Sequence, residues 1–299
     1  MHFTVVLIAL VLDRFRPVAP VAVMFVTLRR WLVALARGTD AGEAQNAWLA
    51  AAIVLIPLLA LTVLVRALLG PFALLFDLLV LLLVARIAEL LQWAERVARA
   101  LDEGDAMAAA SAMQEAPVAA MAVPKSPIAQ GRFAIEALIL AVHTRLFAPV
   151  FWYVLLPGCL GPVLYLLVER LRDAWSGDAV SPAYASRAAR LMRWLDWLPA
   201  RITALVLAVV GNFEDAIESW RSRAKTWTVE EQGVVLASAS GALGIELGDP
   251  LRVTPEPRQA SESAGQAPDD LRSASGLIWR AIVVMMVGLF LLGIGRMVG

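Results

Sequence analysis

Chargeless stretches alternate with polar ones along this chain, and their lengths predict a helical membrane protein. Phe3 to Leu12 carries no charge but is too short to cross a bilayer, so it predicts a half-inserted helix continuing through "PVAPVAVMFVTLRRWL". Ala47 to Val65 is 19 uncharged residues closed by Arg66, long enough for a span, and Pro57 inside it is tolerable there. Gly70-Pro71 predicts a tight break. Pro71 to Ala85, with Asp77 inside and Arg86 after it, predicts the returning arm of a hairpin. Leu146 to Val168 is 23 residues without a charge and reads as the strongest span, kinked at Pro157-Gly158 and Gly161-Pro162. Leu277 to Val298 predicts the last span, with Arg280 and Arg296 extending toward headgroups.

Between these lie polar helices and loops. "ERVARALDEGDAMAAASAM" (95–113) predicts two short helices broken at Gly104, with Asp105 as N-cap. "QEAPVAAMAVPKSPIAQG" reads as a loop, and so does "SGDAVSPAYAS", with Pro182 suited to a helix's first turn. "SRAARLMRWLDWL" is a basic amphipathic pattern. The ten uncharged residues from Ile202 to Gly211 reach only about 15 Å as helix, so they predict a buried or half-inserted helix flanked by Asp196 and Arg201. "RVTPEPRQASESAGQAPDD" (252–270) reads as a flexible linker.

The expectation is therefore an all-α, polytopic integral membrane protein with about four transmembrane helices plus half-inserted ones. Its segments are 1–46 (apolar and interfacial helices), 47–92 (transmembrane hairpin), 93–145 (extramembrane helical loop), 146–168 (third span), 169–250 (large helical extramembrane or interfacial region), 251–275 (linker) and 276–299 (C-terminal span). The apolar run at the N-terminus precedes its arginines, unlike a signal peptide, and is expected to be retained.

Composition strengthens this picture. The chain is 60% hydrophobic and 17% charged, well displaced from soluble domains, and its net charge of zero offers nothing to nucleic acid. Cys159, the single cysteine, lies in an apolar run and excludes internal disulfides and cysteine-based metal cages. His2 and His143 are far apart and read as structural. Orientation is not fixed by loop charge: five Lys/Arg in each of the N-terminal and 93–145 segments face twelve in 169–275.

Phosphate-loop, zinc-protease, nucleophile-elbow and kinase motifs are absent, so no catalytic residue, metal ligand or cofactor follows from motifs. "SGALGIELGDP" (240–250) reads as turn chemistry. The candidate functional groups are Asp13, Arg14, Asp77, Glu136, Asp196 and Arg201, with Glu169 beside them. An ionisable group among apolar residues must face water, a partner charge or a bundle interior.

Several islands in one order resemble the CobD/CbiB membrane proteins of cobalamin synthesis: "VLDRFRPV", "RALDEGDAMAAA", "RFAIEALI" before "APVFW", "LDWLPARITAL" and "SGALGIELGDP". The resemblance implies an enzyme that attaches an aminopropanol-type amine to a cobyric acid side chain. The sequence departs from the family where acids and amides are expected. Glu136 retains the first acid of one run, but Leu140 and Ala141 follow; "ERLR" (169–172) stands after the main span, and Met192 and Arg193 precede "PAR". That loss resembles the AmpE branch, which is associated with regulation of inducible β-lactamase. It implies a non-catalytic inner-membrane signalling protein, multi-pass in the bilayer, answering an unknown signalling partner or a cell-wall-derived ligand. The alternative is an amide-forming synthase of the CobD/CbiB type.

Overall fold

The computed structural model describes residues 2–15, 22–40, 44–115, 127–177, 180–227, 229–247 and 257–298. Regular structure among them is helical throughout: α1 (His2–Phe15), α2 (Ala22–Thr39), α3 (Ala44–Leu69), α4 (Ala73–Ala85), α5 (Ile87–Asp102), α6 (Ala106–Gln114), α7 (Pro127–Val142), α8 (Ala148–Leu155), α9 (Leu160–Trp175), α10 (Pro182–Val210), α11 (Phe213–Arg223), α12 (Glu230–Leu243) and α13 (Pro257–Val298). Three stretches of the described residues are long and apolar enough to cross a membrane: Gln45–Asp102, Ala129–Leu155 and Gln266–Gly295. The protein is an all-α membrane protein.

The first of these stretches folds back, as its sequence implies. Gly70, at φ 50°, and Pro71 form a 3₁₀ turn between α3 and α4, and a positive φ is a conformation glycine adopts without penalty. Arg86, also left-handed at φ 41°, ends α4 and starts α5. The helix pair about Gly104 forms as expected, with Asp105 accepting hydrogen bonds from the amides of Met107 and Ala108.

The predicted span at 146–168 takes a different form. Its Pro157-Gly158 break separates α8 from α9 completely, and Gly158 is left-handed at φ 59°. The crossing-length helix of this region is instead Ala129–Leu155, which begins inside the segment expected to be extramembrane. The reason is packing: residues 133–142 are buried although Gln130, Arg132 and Glu136 make the stretch look polar. A π-helical turn at His143–Phe147 joins α7 to α8. The linker expectation also fails in part, because residues 257–275 are helical and continuous with the last span. The linker's first residues, 251–256, and residues 116–126 of the proline-containing loop lie outside the described residues.

The helices form two compact units. One comprises Met1–Arg86 and Ala148–Trp197; the other comprises Ile87–Phe147 and Leu198–Gly299. In the first unit, one core cluster joins Leu32 and Ala36 of α2, Ala47, Ala50 and Val54 of α3, Leu171 and Trp175 of α9, and Tyr184 and Ala188 of α10. Small residues on α3 let the helices approach, while the large rings fill the gaps they leave. In the second unit α7 packs against α5 and α13, and α11 folds onto α12. The Asp215 backbone comes so close to Gly241 that a side-chain carbon there would collide with it.

Candidate functional site

In the first unit a polar cluster lies between α9 and α10. The Tyr165 hydroxyl donates to Asp196 Oδ1 at 2.9 Å, and both residues are buried. Ala148, Val168 and Met192 surround them, with Trp152 and Leu195 alongside. Glu169 and Arg172, one and two turns beyond Tyr165 on α9, stand near enough for their charges to act on its hydroxyl. Burial works against the Arg172 charge. Asp173, which accepts from Nε and Nη2, and Glu169 outweigh that cost and hold the guanidinium above its ordinary range. The cluster thus combines a phenol, two carboxylates and a guanidinium in a setting shielded from water.

Backbone chemistry fixes the walls of this cluster. Pro199 lacks the N–H that would bond the carbonyl of Leu195 four residues earlier in α10. That carbonyl instead accepts from the Trp152 indole at 3.2 Å. The proline in "LDWLPAR" therefore ties α8 to α10 beside Asp196. Gly161 lies against the Trp152 backbone, where a larger residue would collide.

Asp77 belongs to a second polar group in the same unit. Arg66 Nε lies 3.1 Å from its Oδ1 and Nη2 3.3 Å from its Oδ2, and the Cys159 amide donates to Oδ1 at 3.0 Å. Asp77 is 1% exposed. Its buried charge is matched by a guanidinium and a peptide dipole, so the residue closes the α3–α4 hairpin onto the break before α9. The Arg66 side chain runs over Gly158 at a spot that a Cβ would occupy.

The remaining candidates are dispersed. Asp13 is buried on α1 and Arg14 beside it is exposed. Glu136 is buried on α7 of the second unit. Arg201, in that same unit, lies 3.7 Å from Glu230 on α12. Sequence patterns thus identified Asp196 and Asp77 but missed Tyr165, Arg66 and Trp152, which hold them. Tyr165 was hidden inside a chargeless stretch. The signal for Trp152 was Pro199 itself, since a proline inside a helix implies an unpaired carbonyl needing a donor. His143 fits its structural reading: its Nδ1 is 2.9 Å from the Thr203 hydroxyl, both buried. Among the described residues no three His, Cys, Asp or Glu side chains group as metal ligands would.

A helical membrane protein with carboxylates buried between its helices is the class these observations define. Within it, the chain belongs to the CobD/CbiB family, whose model, described as CobD/Cbib protein, matches residues 4–285. It is similar to the Cobalamin biosynthesis protein CobD of Stutzerimonas stutzeri (strain A1501), 31% identical over 160 residues covering 52% of each chain. It is also similar to the protein of that name from Chromobacterium violaceum, 35% identical over 122 residues, 40% of this chain and 39% of the relative. The chain thus spans about half the length, or less, of these curated relatives. No solved structure matches it.

These likenesses overturn the AmpE-type signalling reading, because both relatives carry the cobalamin name and the family match runs almost end to end. That reading rested on acids missing at Leu140, Ala141 and Met192. The structure shows why this was weak ground. Met192 packs in the cluster that contains Tyr165, and Asp196 supplies a buried carboxylate one turn further along the same helix. A lost acid at one position is not a lost acidic site.

Proposed function

We propose that this protein is an amide-forming synthase of cobalamin biosynthesis, acting as a multi-pass protein of the bacterial inner membrane. The observation that carries the reading is the family match over residues 4–285. The Tyr165–Asp196 cluster supports it chemically. Amide formation joins an amine nitrogen to an activated carboxyl carbon, with loss of the leaving group and one proton from nitrogen. Asp196, oriented by Tyr165, is suited to take that proton. Burial keeps water from competing for the activated carboxyl group. Arg172 and Glu169 supply charges of both signs at the cluster's edge for holding a polar substrate.

The test is complementation of a cobalamin auxotroph that lacks the synthase. Wild-type protein should restore growth, Asp196→Asn should abolish it, and Tyr165→Phe should weaken it, with all three present in membranes at equal levels. No growth with wild-type protein would refute the reading.

A further inference from the structure

The fold gathers positive charge at one end of the first unit. The C-termini of α2 and α9 meet the N-termini of α3 and α10 there. Tyr184 donates to Thr39 at 2.9 Å, and the Ser181 amide and hydroxyl donate to Asp40 at 2.8 and 2.9 Å. Trp175 donates to the Leu32 carbonyl at 3.2 Å. Six arginines lie on the helices around these bonds: Arg29, Arg30 and Arg37 on α2, and Arg187, Arg190 and Arg193 on α10. The acids of the two connecting segments are only three, Asp40, Glu43 and Asp178. On α9, Glu169–Arg170 and Arg172–Asp173 cancel in pairs.

Tryptophans mark a level just inside these charges. Trp48 of α3 stacks on Trp194 of α10 at 5.8 Å between centroids, and Trp194 is 63% exposed. Trp31 on α2 and Trp197 on α10 are exposed as well. Measured along the helices, Trp31 lies about 12 Å from Thr39 and Trp194 about 15 Å from Tyr184, which bonds Thr39. The rings therefore share one depth. Arg37, Arg187 and Arg190 lie outward of it. From Trp48 to Arg66, α3 rises about 27 Å, close to the thickness of a hydrocarbon core. At that far point Arg66 is neutralised by Asp77. One boundary of the unit is thus basic and ringed by tryptophan, whereas α3 meets the other boundary with a compensated pair.

We infer that the basic end is a docking surface for the anionic phospholipid headgroups of the cytoplasmic leaflet, with the tryptophans seated at the headgroup boundary. Loop charges in linear order left the orientation open, because the arginines of α2 and α10 are over 140 residues apart. The fold joins them, and the excess of positive charge directs that end to the cytoplasm. The inference does not depend on the amide-forming reading.

The test uses the full chain in nanodiscs of a zwitterionic lipid containing a small fraction of phosphatidylglycerol, with retained lipid read by mass spectrometry. Wild type should enrich the anionic lipid, and each arginine of the α10 set replaced by glutamine should cut that enrichment by about fivefold. Arg96→Gln with Arg99→Gln on α5 should leave it unchanged. If the triple α10 variant does not accumulate, Arg29→Gln with Arg30→Gln serves instead. No enrichment by wild type, or equal loss in the α5 control, overturns the inference. In parallel, a Ser176→Cys variant should react with a membrane-impermeant maleimide only after the inner membrane is permeabilised. Labelling in intact spheroplasts would overturn the orientation.

Discussion

Asp77 offers a quantitative test of how the first unit is held together. Its carboxylate binds two groups of different kinds, the guanidinium of Arg66 and the backbone amide of Cys159. Asp77→Asn keeps an oxygen for the amide and loses the ion pair. Arg66 is 35% exposed and can turn its charge toward water, so the loss should be small, about 1 kcal/mol. Asp77→Leu also leaves the Cys159 amide buried without an acceptor, which adds about 1–3 kcal/mol. The full cost should approach the roughly 3–5 kcal/mol seen when one partner of a buried pair is removed. Gly158→Ala attacks the same clamp from the other side. Its φ of 59° costs about 1–2 kcal/mol in an L-residue, and the new methyl group would displace the Arg66 side chain. The assay is reversible unfolding in mild detergent or bicelles, ranking wild type, Asn and Leu variants, with Arg66→Gln completing a double-mutant cycle. Equal stability of Asn and Leu would refute the amide-acceptor role of Asp77. A coupling energy of zero between positions 66 and 77 would refute the ion pair.

Trp152→Phe should cost about 1–3 kcal/mol, because the Leu195 carbonyl loses its only side-chain donor shown here; adding Pro199→Ala, which restores a helical N–H, should recover much of that loss in the same unfolding assay. Asp105→Ala should cost about 1 kcal/mol and speed hydrogen exchange at the amides of Met107 and Ala108, with exchange elsewhere unchanged. Gly241→Ala should destabilise the α11–α12 pair strongly, since the added carbon meets the Asp215 backbone, whereas Gly276→Ala on α13 meets open space and should be neutral or slightly stabilising; limited proteolysis separates the two.

Sequence alone determined the class of this protein. Bilayer thickness fixes how long a chargeless helix must be, so the hairpin at 70–72 and the apolar C-terminal helix were legible from residue spacing. Cap and turn chemistry is equally local, which is why Asp105, Gly104 and Pro182 behave as their neighbours dictate. The tertiary structure decided what lay beyond local reach. Leu146 to Val168 lacks any charge, yet Pro157 and Gly158 divide it. The crossing-length helix lies upstream because burial of α7 tolerates Glu136 in a way that hydropathy cannot register. Asp77 and Asp196 were recognisable as unusual, but their meaning rests on Arg66, Cys159 and Tyr165, brought to them by helix packing. Two sets of arginines far apart in sequence became one basic surface for the same reason. A helix reports its own length and caps through its residues; the partner that neutralises its buried charge is chosen only when helices meet.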